Sequence, residues 1–469
     1  MLGQSSIAHE YVPPLWAVIP FVALLLLIAT LPLIGPCAKF WERNRNKLLV
    51  VVACSVPVLL FYFWVHPAMP APGGELAPVA VGWGVLKHML AEAMVEGYFP
   101  FIVLLLSLYV IAGGIELRGD VPAHPRTNAA FLGAGAILAS FIGTTGAAML
   151  LIRPLLQTNQ ERKHVRHTVI FFIFMVCNTG GCLLPVGDPP LFLGYLRGVP
   201  FLWMFHLTAP WAICNGILLA VYYVWDCRAY RRELPENIAR DERDLEPFRL
   251  HGRVNLAYLA GVVLSVPLLV PGQALPLCQW RVPDMYLREI VMLTLAGASL
   301  VTTSKSIRRA NQFTFGPMVE VAVLFIGIFI TMQAPIEILR VRGASLGLAR
   351  PWEFFWASGT LSSFLDNAPT YVVFFQTASA MTTQPGPGVL NLPNGSFIRA
   401  DLLAAVSLGS VFMGANTYIG NGPNFMVKAI AEQRGVKMPS FFHYMLYSVC
   451  VLIPLFVLLS LLMFALKWL

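Results

Sequence analysis

The chain has 469 residues, of which 57% are hydrophobic and only 12% are charged, and its formal net charge is +8. Soluble domains carry about 25% charged residues, so this composition excludes an ordinary soluble protein and indicates an integral membrane protein. The excess of Lys and Arg sits in short loops, where it sets membrane topology, and does not indicate nucleic-acid binding. The eight cysteines lie mostly in apolar segments without a CxxC pair, which favours buried thiols over metal ligands or disulfides.

Apolar runs predict an all-α membrane fold with about ten transmembrane helices and two re-entrant hairpins. In the first half, continuous spans are predicted at 15–33, 48–65, 98–117 and 202–225. A Pro/Gly-rich external loop at 67–82 and an interfacial helix at 85–94 are expected between the second and third spans. Because the loop after the first span is basic, it is expected in the cytoplasm, which places both termini outside.

The apolar segment 129–157 is interrupted by the sequence Gly143-Thr144-Thr145-Gly146 and has basic loops on both sides. Since Lys and Arg favour the cytoplasmic side, both ends of this segment are expected on one side of the membrane. The pattern predicts a re-entrant hairpin with its tip at Thr144 and Thr145. The alternative is a kinked crossing with a glycine bend.

The segment 168–196 is apolar at both ends but carries several glycines and prolines in its centre, at 177–190. Glycine lowers helix propensity and proline removes a backbone donor, so a continuous helix cannot form there. Broken backbone at membrane depth is tolerated only where protein buries it or it lines a wet cavity. Because Asn178, Thr179 and Asp188 would be costly against lipid, this broken span predicts a binding site.

The second half repeats the pattern after a charged segment at 228–253, which is expected to be a solvated cytoplasmic linker. Its predicted elements are continuous spans at 254–270, 290–303, 319–339 and 441–466, a hairpin at 354–382 broken at 366–369, an external loop at 383–395, and a broken span at 402–432. The expected organisation is therefore N-terminal spans with their loop (1–84), the hairpin and broken helix of repeat one (85–227), the linker, and repeat two (254–469).

Four pairs of markers occur in the same order in the two halves. They are Ile115–Arg118 with Ile336–Arg340, Ser140–Ile142 with Ser363–Leu365, Gly187–Pro190 with Gly420–Pro423, and Arg197–Pro200 with Arg434–Val436. Each half has five crossings, an odd number, so the second half must enter from the opposite side. The sequence therefore predicts an inverted-topology repeat, the arrangement in which paired broken helices form the binding site of many transporters.

Hydroxyls, amides and carboxylates at the hairpin tips and broken spans are hard oxygen ligands, which suit Na⁺ and do not suit a soft metal. The candidate ion- or substrate-binding residues are Thr144, Thr145, Asn178, Thr179, Asp188, Asp366, Asn367, Thr370, Asn416, Thr417 and Asn421. Na⁺ is the expected coupling ion and no other cofactor is expected.

Asp188 and Asp366 are the two carboxylates of this set. A buried carboxylate is costly in the membrane unless it is protonated or paired with a cation, which is a physical basis for exchanging Na⁺ for H⁺. The alternative for each is helix capping: Asp188 precedes Pro189-Pro190, a favourable helix start, and Asp366-Asn367 precedes another. No phosphate loop, zinc spacing or nucleophile elbow occurs, so the sequence does not predict an enzyme.

The motifs around Asn178-Thr179-Gly180-Gly181 and Gly187–Pro190 resemble a signature of the ion transporter superfamily. Segments 364–369 and 414–424 resemble its second hairpin tip and second broken helix, and the resemblance covers about residues 85–465. Within that superfamily the chain is most similar to the group of sodium:proton antiporters and citrate transporters, which is related to arsenite permeases and dicarboxylate carriers. The first tip, at 143–146, differs from the Ser-Asn-Thr tip of the dicarboxylate carriers.

This resemblance implies an elevator-type carrier, usually a homodimer, that is driven by ion gradients. The first hypothesis is Na⁺/H⁺ antiport through a midplane site formed by both hairpin tips and both broken helices. The alternative is Na⁺-coupled symport of citrate or another organic anion, which helix N-termini at Pro189 and Pro423 could bind. An oxyanion permease and a non-transporting scaffold are weaker alternatives. The expected location is a bacterial inner membrane, with the lipid bilayer as its surroundings.

Overall fold

The computed structural model describes residues 11–67, 82–243, 246–274, 281–283, 286–393 and 395–465. The described chain is mainly helical with very little sheet, as predicted. Its α-helices are α1 (Ile19–Thr30), α2 (Gly35–Trp41), α3 (Asn44–Trp64), α4 (Trp83–Leu90), α5 (Phe99–Ala112), α6 (Pro125–Ile142), α7 (Thr144–Thr158), α8 (Arg166–Met175), α9 (Pro189–Leu196), α10 (Thr208–Tyr230), α11 (Pro235–Asp241), α12 (Val254–Leu268), α13 (Leu287–Thr302), α14 (Lys305–Ala310), α15 (Gly316–Thr331), α16 (Gln333–Arg342), α17 (Pro351–Phe364), α18 (Asn367–Ala380), α19 (Ala400–Met413), α20 (Gly422–Gln433) and α21 (Phe441–Ser460).

Two short antiparallel strand pairs accompany the helices. Strand β1 (Glu116–Asp120) pairs with β2 (Glu246–His251), and β3 (Val389–Asn391) pairs with β4 (Phe397–Arg399). The predicted external loop at 383–395 therefore contains one strand of a hairpin. The other predicted loop, at 67–82, lies almost wholly outside the described residues.

Four helical segments of the described chain are long and apolar enough to cross a membrane. They are Asn44–Trp64, Trp83–Ala112, Phe201–Tyr230 and Phe441–Phe464. The bent pair α15 and α16 makes a fifth if it is one span. The chain is thus a multi-pass membrane protein. The predicted number of about ten crossings also includes shorter helices and two broken spans, so that number stays a prediction.

Two predicted boundaries differ from the structure. The prediction of a separate interfacial helix at 85–94 is wrong, because one helix runs unbroken from Trp83 to Ala112. Within it, a π-helical stretch at Ala91–Tyr98 widens the helix just before Pro100. The predicted single span at 319–339 is instead bent by 42° between α15 and α16. Pro335 cannot donate to the carbonyl of Thr331, so the hydrogen-bond ladder is interrupted where the bend occurs.

Both predicted broken spans are broken in the structure. The first consists of α8, a 3₁₀ turn at Thr179–Cys182 and α9; the second consists of α19, a 3₁₀ turn at Gly414–Asn416 and α20. The irregular stretches at 176–188 and 414–418 are all buried. The protein therefore surrounds the irregular backbone, which is what the membrane interior requires.

The first predicted hairpin segment is divided where expected. Helices α6 and α7 pack against each other and are joined by Gly143, whose φ of 79° favours glycine. In the second segment, α17 ends at Phe364 and α18 begins at Asn367. The first break is confirmed by these bounds. The second lies at 365–366, just ahead of the predicted 366–369, whose last three residues belong to α18. The re-entrant path of each segment stays a prediction.

Two of the repeat markers have the same backbone conformation in both halves. The residues before α9 and α20, Asp188 and Asn421, have φ/ψ of −147/143° and −152/139°. The glycines after these helices, Gly198 and Gly435, have φ of 96° and 86°. The first marker pair does not correspond, because Glu116–Arg118 lies in β1 whereas residues 336–340 lie in α16.

The segment 228–253 is more ordered than the predicted solvated linker. It contains the end of α10, helix α11 and strand β2, and its side chains Glu233 and Asp241 are buried. Asp241 accepts a hydrogen bond from the backbone N–H of Ala123 at 2.9 Å, and β2 pairs with β1. This segment is therefore attached to the first half of the chain.

The chain forms two compact units, each built from both halves of the sequence. The first unit comprises Met1–Phe99, Val319–Leu348 and Val372–Arg399. The second comprises Pro100–Met318, Ala349–Tyr371 and Ala400–Leu469, and it contains both broken spans. The division of the sequence into two repeats at the linker stays a prediction.

We expect Asp120 to make the stability of the protein depend on pH. Burial, together with the neighbouring carboxylates Glu161, Asp241 and Glu246, raises the pKa of Asp120 from 3.8 to about 6. The folded state therefore holds this proton more tightly than the unfolded state, so stability should fall as the pH rises from about 4 to about 6 and then level off. In thermal unfolding of the detergent-purified protein, Asp120→Asn should remove this part of the pH dependence.

The matched control is Glu236→Gln, because Glu236 is an exposed carboxylate on α11. It should leave the pH profile of the melting temperature unchanged. An Asp120→Asn profile that coincides with the wild-type profile would contradict the assignment.

Candidate functional site at Asp188

Four helices have their first residues in the second unit around one carboxylate, that of Asp188. Thr144 is the first residue of α7, Asn367 is the first residue of α18, and Asp188 and Asn421 precede α9 and α20. The glycines and prolines of the four breaks thus place the starts of these helices together. Because the N-terminus of a helix carries a partial positive charge, the site favours a negative charge without a basic side chain.

The carboxylate of Asp188 is buried, with 1% of the residue exposed, and three neutral side chains donate to it. Thr144 Oγ1 donates to Oδ1 at 2.9 Å, and Asn367 Nδ2 donates to Oδ2 at 2.6 Å. Asn421 Nδ2 donates to Oδ1 at 3.3 Å and also to the carbonyl of Cys177 at 2.9 Å. In the described parts of the chain, no Lys or Arg forms an ion pair with Asp188.

Helix capping, the alternative role for the two carboxylates, is absent at Asp188 and present at Asp366. Although Asp188 directly precedes α9, its side chain makes no capping hydrogen bond. Asp366 Oδ1, by contrast, accepts from the backbone N–H of Ala368 at 3.0 Å at the start of α18. Asp188 therefore faces the other helix starts, whereas Asp366 caps its own helix.

Three amide oxygens at the breaks are buried and accept no hydrogen bond within the described chain. They belong to Asn178, Asn367 and Asn416, which are exposed by 0%, 0% and 9%. A buried polar atom without a partner is destabilising, and such exceptions are often explained by a ligand or ion. Carbonyl-type oxygens are ligands that Na⁺ accepts, and the Asn367 oxygen shares its amide with the donor to Asp188.

Other polar side chains satisfy the backbone groups that the breaks release. Ser140 Oγ donates to the Gly180 carbonyl at 2.6 Å and accepts from the Leu183 N–H at 3.1 Å. In the second broken span, Asn424 Nδ2 donates to the carbonyls of Gly414 and Thr417, each at 2.9 Å. These bonds fix the irregular backbone, which in turn fixes the positions of the helix starts.

Several predicted site residues are occupied by these structural roles. Thr179 Oγ1 donates to Asn215 Oδ1 at 2.8 Å, Thr417 Oγ1 donates to the Ser363 carbonyl at 2.5 Å, and Thr370 Oγ1 donates to the Asp366 carbonyl at 3.1 Å. Thr145 is partly buried and makes no side-chain hydrogen bond with any residue that the structure describes. The structure thus brings Thr144, Asn367 and Asn421 to Asp188 and leaves these four threonines outside that group.

The sequence prediction missed Ser363 and Asn424. Ser363 Oγ accepts from Asn416 Nδ2 at 2.9 Å, and Asn424 Oδ1 accepts from Asn178 Nδ2 at 2.8 Å. Both lie within segments already singled out, Ser363 in a repeat marker and Asn424 at the end of the second break. The available signal in the sequence was a polar side chain within a broken apolar segment, although this signal does not identify the partner of that side chain.

A family model described as "Putative citrate transport" matches residues 10–464 of the chain. The chain belongs to this family. A comparison with curated proteins finds no significant match. Among solved structures, the chain is similar to the YdaH transporter of Alcanivorax borkumensis, with 15% identity, a TM-score of 0.45, and coverage of 95% of this chain and 97% of that chain.

Membership of this family makes the protein a multi-pass membrane transporter and not an enzyme. In a secondary transporter, broken helices are the usual place for substrates and coupling ions. The buried Asp188 group lies where two such helices restart, so it is the candidate site of this transporter.

Gly187 lies where the backbone before Asp188 passes closest to its neighbours. A Cβ atom there would clash with the carbonyl oxygen of Gly181 and would lie 3.0 Å from the Cα of Ser140. We therefore expect Gly187→Ala to push the chain away from α6 and to lower the free energy of unfolding by about 1–3 kcal/mol through overpacking.

Gly216, inside α10, is the matched control because a Cβ atom there meets nothing within 4 Å. Gly216→Ala should raise the melting temperature slightly, since alanine favours a helix by about 1 kcal/mol over glycine. Equal melting temperatures for the two variants would show that the close approach at Gly187 is not a constraint.

Proposed function

We propose that the protein is a secondary transporter that exchanges Na⁺ for H⁺ at Asp188. The observation that supports this proposal is a buried carboxylate that, in the part of the chain the structure describes, has three neutral donors and no basic partner. Removing such a carboxylate from water is costly unless a proton or a cation neutralises it. One group that must bind either H⁺ or Na⁺ is sufficient to couple the two ions.

The amide of Asn367 offers a way for one site to accept both ions. In the present arrangement its Nδ2 donates to Asp188, while its Oδ1 has no partner within the described chain. Rotating the amide by 180° exchanges these two atoms. The oxygen would then face Asp188, where it could accept a hydrogen bond from the protonated carboxyl group or coordinate Na⁺ together with the carboxylate.

The second candidate function is Na⁺-coupled symport of citrate or another organic anion. The description of the family favours it. The converging starts of α7, α9, α18 and α20 also favour it, because helix N-termini stabilise carboxylate groups. In this case Na⁺ would occupy the unpartnered amide oxygens, and the anion would approach the helix starts.

Assembly and location are further parts of the proposal. A homodimer in a bacterial inner membrane agrees with the family resemblance, and placing both termini outside agrees with the distribution of basic loops. Both features are independent of the chemistry proposed at Asp188.

The test uses purified protein in liposomes that contain a pH-sensitive dye. An inward Na⁺ gradient is imposed with and without external citrate. Antiport predicts that the lumen becomes alkaline with Na⁺ alone, because protons leave as Na⁺ enters. Na⁺-dependent uptake of labelled citrate would favour symport, which need not move protons. The absence of both responses would contradict both candidates.

Two matched variants locate the coupling. Asp188→Asn should abolish the Na⁺-driven proton movement, because an amide has no exchangeable charge. Asp366→Asn should retain most of it, because asparagine is also a good helix cap. Loss of exchange in Asp366→Asn together with retention in Asp188→Asn would assign the coupling to the other carboxylate and overturn the proposal.

A further inference from the structure

A second feature of the second unit, separate from Asp188, is a basic cavity of about 920 Å³. It lies between the start of α8, the end of α10 and one residue of α21, Tyr447. Four cationic side chains line it: Lys163, Arg166, Arg228 and Arg232. All four residues are exposed, so the cavity opens to the surroundings of the protein.

The α10 side of the cavity changes in character along the helix. Val221 and Val224 are exposed by 39% and 48%, Trp225 follows, and Arg228 and Arg232 come last. Val221, Val224, Trp225 and Arg228 share one face of α10, and Arg232 follows directly after the end of the helix. The distance from Val221 to Arg228 along the axis is about 10 Å. An apolar surface, then an aromatic ring, then cations is the order met when passing from the hydrocarbon of a bilayer to its headgroups.

The carboxylates beside the cavity do not neutralise these cations. Asp226 is fully buried and accepts from Arg162 Nη2 at 2.5 Å and from His167 Nε2 at 2.9 Å. It also accepts from Tyr222 Oη at 3.1 Å. The acceptor capacity of Asp226 is thus used by groups beneath the cavity.

Glu233, the second carboxylate, is also occupied. It accepts from the backbone N–H groups of Lys163 and His164 at 3.0 and 2.8 Å. These bonds fix the loop that carries Lys163, and they use its backbone and not its ammonium group. Within the parts of the chain that the structure describes, none of the four lining cations forms a salt bridge.

We propose that this cavity binds the headgroup of an anionic phospholipid, with the acyl chains of the lipid lying along the exposed valines of α10. The uncompensated cations match a phosphodiester, and the apolar face below them matches the chains. A soluble anion would use the cations but leave this apolar face uncovered. The start of α8, which has no side-chain cap, adds favourable backbone dipoles at the same place.

The test measures lipid binding by native mass spectrometry of the full chain purified in detergent. Phosphatidylglycerol is the anionic probe and phosphatidylcholine is the zwitterionic one. The wild type should retain phosphatidylglycerol preferentially. Because each basic residue near an anionic lipid contributes about fivefold to binding, Arg228→Gln with Arg232→Gln should weaken retention about 30-fold.

The matched control is Arg231→Gln with Arg240→Gln, which removes the same charge from exposed positions that do not line the cavity. It should bind phosphatidylglycerol like the wild type. Since the side chains of Arg228 and Arg232 make no hydrogen bond within the described chain, their variant should also keep the wild-type melting temperature.

Three outcomes would overturn the proposal. The first is equal phosphatidylglycerol retention in the two double variants. The second is equal retention of phosphatidylcholine and phosphatidylglycerol by the wild type. The third is full displacement of the lipid by excess inorganic phosphate, which would indicate a site for free anions instead.

Discussion

A carboxylate that is buried without a Lys or Arg partner among the described residues is the constraint on which the candidate site depends. Asp188 has 1% exposure, and among the described residues its oxygen atoms accept from Thr144, Asn367 and Asn421 alone. Each donor belongs to the start of a different helix. The four breaks in the chain are therefore needed together, because each one supplies a helix start, and with it a donor or the carboxylate itself.

The breaks are tolerated because polar side chains replace the helical hydrogen bonds that are lost. Ser140 forms hydrogen bonds with backbone groups of the first broken span, and Asn424 does so in the second. The glycines of the two spans also correspond. A Cβ atom at Gly187 would clash with the carbonyl oxygen of Gly181, and one at Gly420 would lie only 2.6 Å from the carbonyl oxygen of Gly414. Together with the matching backbone angles before α9 and α20, these close approaches support a duplicated structural unit.

Much of this arrangement could be predicted from local sequence, because glycine and proline act on their own backbone. The breaks after Met175, at Gly143 and after Met413 were placed correctly for this reason. The break predicted at 366–369 lies slightly earlier, at 365–366, because Pro369 is accommodated in the first turn of α18. Pro335 was not recognised as a break, since a proline can also be accommodated within a long apolar helix, as Pro100 is beside its π-helical turn.

Partners that are distant in sequence could not be predicted. The choice between capping and coordination at Asp188 and Asp366 depends on which groups face each carboxylate across the fold, and Asn367 and Asn421 lie 179 and 233 positions from Asp188. Strand β2 was missed because its pairing with β1 depends on the packed position of the linker.

The measurement that tests the central claim most directly is the number of protons released when Na⁺ binds to the purified protein, obtained by calorimetry in buffers of different ionisation enthalpy. The account predicts proton release in the wild type that disappears in Asp188→Asn. Na⁺ binding without proton release, or unchanged release in Asp188→Asn, would contradict it.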